Sequence, residues 1–320
     1  MTRLRIVVLI GFSLLAPAAF GDDAYVWLQR MNQASRSLNY SGVFVYQSQG
    51  RAETSRIVHL VDASGEHERL ETLDGPPREV IRHNEDVQCF LPQDRIVVTD
   101  KAVLGRQPGR LIIKPAALAE FYNIHLGEQG RVAGRDAQQI LLEPRDDMRY
   151  GQQFWVDVAT GLLLKARMVS EQLGTIEQFA FSDVAPGITI DHEKLKPLSS
   201  RKGNWRVINA RGVELRMEDL EWNFRKLPPG FKSVSAVKRS VRRNDVNAVH
   251  IVFSDGLADV SVFIEAASGN LAGAAQSGPV NAGSTGIFRR IVGDRLVTAL
   301  GEVPMAALRR IAEGVERRSK

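Results

Sequence analysis

The sequence is poor in cysteine, and its one cysteine, Cys89, cannot form a disulfide within the chain. A buried thiol that packs as a small hydrophobe is the simpler interpretation of Cys89, and a reactive or intermolecular thiol is the alternative. With 320 residues the chain can bury a core without disulfides, and it exceeds the usual size of a single domain.

Catalytic motifs are also missing from the sequence. The patterns G-x-S-x-G, G-x-x-x-x-G-K-[ST], H-E-x-x-H and C-x-x-C do not occur. His59 and His67 fall on neighbouring predicted strands near Asp62, but polar side chains on the wet face of a sheet explain them without a metal. The sequence therefore predicts a protein that is not an enzyme and has no catalytic residues, no metal and no cofactor.

Long apolar runs are scarce, and the longest begins at residue 6. Arg3 and Arg5 precede it, and residues 19–21 place small side chains where a signal peptidase cleaves. The run is shorter than the ~20 residues of a membrane-spanning helix. We therefore predict that residues 1–21 are a cleavable signal peptide and that the exported chain is soluble, which excludes nucleic acid as a partner.

The charges are unevenly distributed along the mature chain. Residues 22–199 contain 20 Lys and Arg against 25 Asp and Glu, a net charge of −5, whereas residues 200–320 contain 20 against 12, a net charge of +8. This asymmetry, and a stretch with Pro and Ser but no periodicity, predict two domains and a linker. We place the N-terminal domain at 22–190, the linker at 191–203 and the C-terminal domain at 204–320.

Alternation of apolar and polar residues from 150 to 183 predicts three antiparallel strands, with Gly161 in the first turn. Lys165 and Arg167 must face water, so the alternate positions form a dry face. We predict that this face lines a lipid-binding cavity formed by Phe154, Leu164, Ala166, Met168, Phe179 and Phe181.

The same period of two recurs from residue 40 to 143, after a segment with helical period at 22–38. A sheet of roughly nine to eleven strands must curl or close, and wrapped round a helix it encloses an apolar lumen. The C-terminal part predicts further strands and a final helix at 304–317. The fold class is therefore mainly β (α+β), with a curved antiparallel sheet round a helix and a smaller α+β C-terminal domain.

The densest basic cluster comprises Lys238, Arg239, Arg242 and Arg243. In an exported protein such a cluster faces anionic lipid headgroups, an acidic protein surface or only solvent. We predict that it contributes to binding an acidic or mixed-charge protein segment.

An ordered set of seven short segments runs through the chain. The segments are Gly42–Tyr46, Phe154–Asp157, Thr160–Lys165, Glu177–Phe179, Leu227–Phe231, Ser254–Glu265 and Gly301–Pro304. No single segment is specific, but the order spans essentially the whole mature chain, and as a set it resembles the RseB/MucB family of periplasmic sigma-E factor regulatory proteins.

The resemblance implies an N-terminal domain folded like the lipoprotein carriers LolA and LolB, an unclosed antiparallel β-barrel around an apolar cavity. It also implies a periplasmic protein without enzymatic activity. Such a protein binds the periplasmic part of a single-pass anti-sigma factor and shields it from proteolysis until a lipid signal, such as the acyl chains of lipopolysaccharide, relieves the shielding.

Two other functions are alternatives to this regulator. A periplasmic lipid or lipoprotein carrier would use the same barrel but does not need a C-terminal domain, and a hydrolase of envelope polymers lacks its catalytic groups. Self-association through exposed strand edges stays open.

Overall fold

The structure, a computed structural model, describes residues 20–101, 115–198, 204–240, 247–267, 280–282 and 284–318. All but the last two residues of the predicted signal peptide lie outside these ranges. Within them the chain forms three α-helices and sheets of 12, 7 and 2 strands. Among the same residues, no helix is both long and apolar enough to span a bilayer.

Helix α1 and the first sheet make up the N-terminal part. The helices are α1 (Phe20–Ser37) and the short α2 (Pro115–Leu118). The strands of the first sheet are β1 (Tyr40–Ser48), β2 (Arg51–Asp62), β3 (Gly65–Thr72), β4 (Glu79–His83), β5 (Asp86–Leu91), β6 (Ile96–Lys101), β7 (Tyr122–Val132), β8 (Arg135–Pro144), β9 (Gly151–Asp157), β10 (Leu163–Ser170), β11 (Gly174–Pro186) and β12 (Arg206–Asn209).

The spatial order of this sheet is β12-β6-β5-β4-β3-β2-β1-β11-β10-β9-β8-β7. Because this order is linear, the sheet keeps two edge strands, β12 and β7, and does not close. All its pairs are antiparallel except β12 with β6. The unclosed antiparallel sheet expected for the first domain is confirmed.

Helix α1 packs on β7, β8 and β10 through a stripe of small and apolar side chains. Ala24, Leu28 and Met31 are buried against Ile140 and Phe154 of the sheet. A helix with one apolar stripe is stable only when that stripe is covered, and the sheet covers it.

The second and third sheets follow from residue 213 onward. Their strands are β13 (Val213–Glu214), β14 (Trp222–Phe224), β15 (Lys232–Ser240), β16 (Asn247–Ser254), β17 (Asp259–Ala266), β18 (Val280–Ala282), β19 (Thr285–Val292), β20 (Arg295–Gly301) and β21 (Val315–Arg317). The order is β13-β15-β16-β17-β20-β19-β18 in one sheet, and β14 pairs with β21 in the other. Helix α3 (Met305–Glu313) buries Leu308 and Ile311 in the same core as Val262 and Val297.

The last helix is shorter than the sequence predicts. It ends at Glu313, and Gly314 packs closely against the loop before β15: a Cβ there would lie 2.6 Å from the Lys226 backbone nitrogen. The next residue, Val315, is fully buried and begins β21. Tertiary packing therefore overrides the helical period.

Strand β12 crosses the predicted domain boundary. It follows residue 204, yet Arg206–Asn209 pairs in parallel with β6, at the edge of the first sheet. An edge strand presents unpaired N–H and C=O groups, and β12 satisfies those of β6.

Candidate functional site

The predicted cavity residues share one face of the first sheet. Phe154 lies opposite Ala166, and Ala166 lies opposite Phe179, across three adjacent strands. On the far side, Phe179 and Phe181 lie opposite Tyr46 and Phe44 of β1. The strand register therefore brings together residues that the sequence separates by more than a hundred positions.

Most of these side chains are buried in two apolar clusters. Phe154 packs beneath α1, Leu164, Phe179 and Phe181 pack with Phe44, and Ala166 touches both clusters. Leu164 is fully buried, and Phe154, Met168, Phe179 and Phe181 are less than a tenth exposed, whereas Ala166 is partly buried. The ring centroids of Phe44 and Phe179 lie 4.7 Å apart, and those of Phe179 and Phe181 lie 5.1 Å apart. We call the six predicted residues the aromatic face.

A groove of about 400 Å³ lies elsewhere, between the β1–β2 turn and the start of β11. It is lined by residues 47–52 and 175–178, and none of the aromatic face belongs to it. Beside it the Tyr46 hydroxyl donates to Glu177 over 2.5 Å. Burial, and then this hydrogen bond, raise the pKa of Tyr46 well above its usual value.

A buried ion pair joins the two main sheets. Arg149, between β8 and β9, donates from Nη1 to Asp255 in the β16–β17 turn over 2.7 Å, and both side chains are fully buried. Arg149 Nη2 donates to the Pro229 carbonyl over 2.7 Å, and Tyr122 Oη donates to Asp255 over 3.4 Å. We call Tyr122, Arg149 and Asp255 the junction.

The charges at the junction compensate one another. Burial opposes the charge of Arg149, but the hydrogen bonds to Asp146 and the negative charge of Asp255 raise its pKa above the ordinary value. Burial, followed by the charge of Asp255, raises the pKa of Tyr122, so its hydroxyl stays neutral and donates. A buried charge is tolerated only when paired and hydrogen-bonded, and the junction meets both conditions.

Apolar side chains interlock around the junction. Met148 packs into the core of the second sheet, and Leu257 packs into the core beneath α1. Gly230 has φ +83°, and a Cβ there would lie 2.5 Å from the Phe121 ring. The contact between the two sheets is therefore close-packed and leaves no room for a side chain at Gly230.

The predicted basic cluster is divided between two environments. Lys238 on β15 is exposed, but Arg239 is half-buried and donates to Asp100 at the end of β6 over 3.1 Å. Arg242 and Arg243 lie outside the described residues. Arg239 thus contributes to the contact between the sheets.

The thiol of Cys89 is half-buried, in agreement with the unreactive, packed cysteine that the sequence favours. Burial raises its pKa, which disfavours the reactive thiolate.

His59 and His67, which the sequence places near Asp62, separate in the structure. His59 is buried and contacts the Leu38 carbonyl and Glu66. His67 instead lies near Asp62 and His192, and one ligand atom from each of these three residues falls within 4.8 Å of the others. Hydrogen bonds from Ser64, with smaller effects of His192 and His67, lower the pKa of Asp62 to about 2.

No sequence motif marks the junction as a site. Asp255 falls in a segment that carries the family resemblance, but the pattern assigns it no role. Arg149 follows two aspartates in a turn, where a solvated charge is the ordinary expectation. Its partner is 106 residues away, and no local periodicity records such a pairing.

The fold and the junction define a two-domain β protein in which an open sheet around a helix is joined to a second sheet domain. The chain belongs to the MucB/RseB family: residues 23–199 match the MucB/RseB N-terminal domain, and residues 216–316 match the MucB/RseB C-terminal domain. Strands β12 and β13 begin in the interval between the two matches.

Similar proteins and solved structures agree with this membership. The chain is 32% identical to the sigma factor AlgU regulatory protein MucB of Pseudomonas aeruginosa, over 98% of this chain and 96% of that protein. It is 26% identical to the sigma-E factor regulatory protein RseB of Haemophilus influenzae, over 90% of each. The structure of the Pseudomonas aeruginosa MucA/MucB complex matches with a TM-score of 0.72 and 29% identity, covering 93% of this chain and 100% of that one.

Proposed function

We propose that this chain binds the periplasmic part of a membrane anti-sigma factor, shields it from proteolysis, and so restrains an envelope-stress response of the sigma-E type. The observation that carries this function is the match, over 93% of the chain, to MucB solved together with MucA. The protein acts by binding and not by catalysis, in keeping with the regulatory names of its relatives.

Both domains take part in this role. A carrier of lipids or lipoproteins is the alternative, and it would need only the first sheet. The buried Arg149–Asp255 pair and the interlocked Met148 and Leu257 favour the regulator, because they join the second sheet to the first as one binding unit. We keep the division into 22–190, a linker at 191–203 and 204–320 as a proposal, with β12 as a strand that the second part contributes to the first sheet.

The proposed location is the periplasm, reached through a signal peptide at residues 1–21. The partner segment lies in that compartment, so an exported chain is required. Mass spectrometry of periplasmic material should find a mature chain that begins near Asp22. A retained N-terminus would contradict cleavage.

The direct test of the proposed function is capture of the partner. The purified periplasmic segment of the anti-sigma factor from the same organism should co-elute with the full mature chain in gel filtration. Light scattering on the same column tests self-association through the edge strands β7 and β12. Separate elution of the chain and the segment at micromolar concentrations would contradict the proposed function.

We further propose that acyl chains enter at the aromatic face. Burial of an acyl chain contributes ~0.8 kcal/mol per CH₂. Since Phe179 and Phe181 already pack against Phe44, a lipid must part these rings or displace α1. Lipid uptake would therefore rearrange the packing of the first sheet. Such a rearrangement is what a response to a lipid signal requires.

A size-matched pair of variants tests this entry site. Ala166→Phe adds a ring between Phe154 and Phe179 and should weaken uptake of a fluorescent acyl probe at least fivefold. Gln178→Phe places the same ring on the opposite face, in the lining of the groove, and should leave uptake unchanged. A loss in Gln178→Phe alone would assign the lipid to the groove.

The basic cluster is proposed to attract an acidic or mixed-charge part of the partner. Arg239 is held by Asp100, so the variant that isolates this effect changes Lys238, Arg242 and Arg243 to Gln and keeps Arg239. Exposed charges act mainly on the association rate and are screened beyond ~8 Å at physiological salt. Association should slow several-fold at low salt and little at high salt. If the variant and the wild type associate with the partner at equal rates at every salt concentration, the basic cluster is only a solvated surface.

A further inference from the structure

Three potential metal ligands meet where the chain leaves the first sheet. Asp62 ends β2, His67 lies on β3, and His192 begins a 3₁₀ turn at His192–Leu195. The sequence separates His192 from the other two by more than a hundred residues. The proposed function does not use these side chains.

Their geometry is close to that of a bound transition metal. His192 Nε2 lies 2.8 Å from one carboxylate oxygen of Asp62, and His67 Nε2 lies 3.6 Å from the other. Two ligands at the usual ~2.0–2.1 Å from a tetrahedral zinc ion lie roughly 3.3 Å apart. The observed spacings bracket this value, and all three ligand atoms fall within 4.8 Å of one another. An ion would take the place of the Ser64 hydroxyl, which lies 2.8 Å from His67 Nε2.

The neighbouring side chains hold the ligands in place. Ser64 donates to Asp62 from its backbone nitrogen over 2.8 Å and from its hydroxyl over 2.6 Å. The ring of His83 stacks on His67 with centroids 4.4 Å apart and planes 9° apart. Such outer contacts orient metal ligands, and here they fix two of the three before any ion binds.

We propose that Asp62, His67 and His192 bind a zinc ion, with water in the fourth position. Two imidazole nitrogens and one carboxylate suit zinc and similar borderline metals, whereas magnesium and calcium prefer oxygen ligands. The three residues belong to two separate stretches of chain, so the ion links them.

The link would attach the segment after β11 to the β2–β3 hairpin. That segment already packs Ile190 and Leu195 on Val58 and Leu60 of β2. Its continuation leads to β12 and the second sheet. Zinc would therefore stabilise the start of the connection between the two parts of the molecule.

Isothermal titration of zinc chloride into the tag-free, chelator-treated mature chain tests the site. The wild type should take up one zinc ion per chain. His67→Ala and His192→Ala should each bind at least about tenfold more weakly, as expected when coordination is lost. The matched control is His125→Ala, because the His125 side chain is 42% exposed and lies near one carboxylate, Glu143, at 3.8 Å.

The result that overturns the proposal is an absence of zinc uptake, or equal uptake by the wild type and His192→Ala. A thermal melt gives a second readout: zinc should raise the midpoint of the wild type and of His125→Ala but not that of His192→Ala. The His192 side chain is 60% exposed, so its removal does not threaten the fold. Circular dichroism of the metal-free variant confirms that it is folded.

Discussion

Asp157 illustrates how one side chain fixes a turn of the sheet. Its carboxylate is almost fully buried at the end of β9 and accepts two hydrogen bonds from Arg135, at 2.9 and 3.0 Å. It also accepts from the backbone nitrogen and the hydroxyl of Thr160. Burial opposes its charge, but these donors prevail and lower the pKa of Asp157.

This lowered pKa predicts an acid-dependent contribution to stability. The unfolded chain binds the proton more tightly, so the contribution is complete above the ordinary aspartate pKa of ~3.9 and is lost as the pH falls through the lower folded value. Asp157→Asn should lower the free energy of unfolding by ~3 kcal/mol at pH 7. The loss relative to wild type should shrink below pH 4, as measured by urea denaturation.

The control for this prediction is the exposed pair of Arg131 and Asp136, at 3.8 Å. Asp136→Asn should change the free energy of unfolding by no more than about 0.5 kcal/mol at any pH. Equal losses in both variants would contradict the role assigned to burial.

At the scale of elements, the β9–β10 turn is fitted against α1. Gly161 in this turn has φ +80°, and a Cβ there would lie 2.9 Å from the Arg30 backbone oxygen. Gly174, where the next turn leads into β11, has φ +70°, but a Cβ there would meet nothing within 4 Å. The two glycines share a backbone conformation and differ in packing.

This contrast makes Gly161→Ala and Gly174→Ala a matched pair. Both add the cost of a left-handed backbone, on the order of 1 kcal/mol. Gly161→Ala should cost a further ~1–3 kcal/mol, since α1 must shift. Equal thermal midpoints in the two variants would show that the close contact between the β9–β10 turn and α1 does not contribute to stability.

Much of the first sheet follows from local alternation of apolar and polar residues. Most of the strands from β1 to β11 have a run of period two, whereas residues 43–46 of β1 and 96–98 of β6 are apolar throughout. The turn at Gly161 has the positive φ that its sequence predicts. The sequence pattern does not predict β13 and β14, because strands of two or three residues are too short to show a period. Strand β21, after Gly314, is not predicted because its residues continue the helical period of α3.

The sites depend on contacts that no local pattern records. The alternation does place the aromatic face on one side of the sheet. It does not predict that the rings of β1 pack against that face. His192 falls in a predicted linker, so its approach to Asp62 follows only from the folded chain. The same is true of Arg149 and Asp255.

For the whole molecule, the junction sets how firmly the two sheets are joined. Asp255→Asn leaves Arg149 buried without its full partner, which should cost about 3–5 kcal/mol in urea denaturation. Part of that loss is local, because Asp255 also accepts from the backbone nitrogens of Leu257 and Ala258. Removing Arg149 as well separates the two contributions.

The double variant Arg149→Met with Asp255→Asn should lose about 2 kcal/mol less than the sum of the single variants. The control Glu316→Gln breaks an exposed pair with Arg225 and should change stability by no more than about 0.5 kcal/mol. Strict additivity of the junction variants would show that the ion pair does not join the sheets.

The central claim is that this two-domain chain shields an anti-sigma factor. The most direct measurement follows cleavage of the anti-sigma factor from the same organism, reconstituted in membrane with the protease that cleaves it, as the mature chain is added. We predict that cleavage stops once the chain is equimolar with its partner, and that Asp255→Asn protects less well than Glu316→Gln. Cleavage at an unchanged rate with saturating folded wild-type chain would contradict the claim.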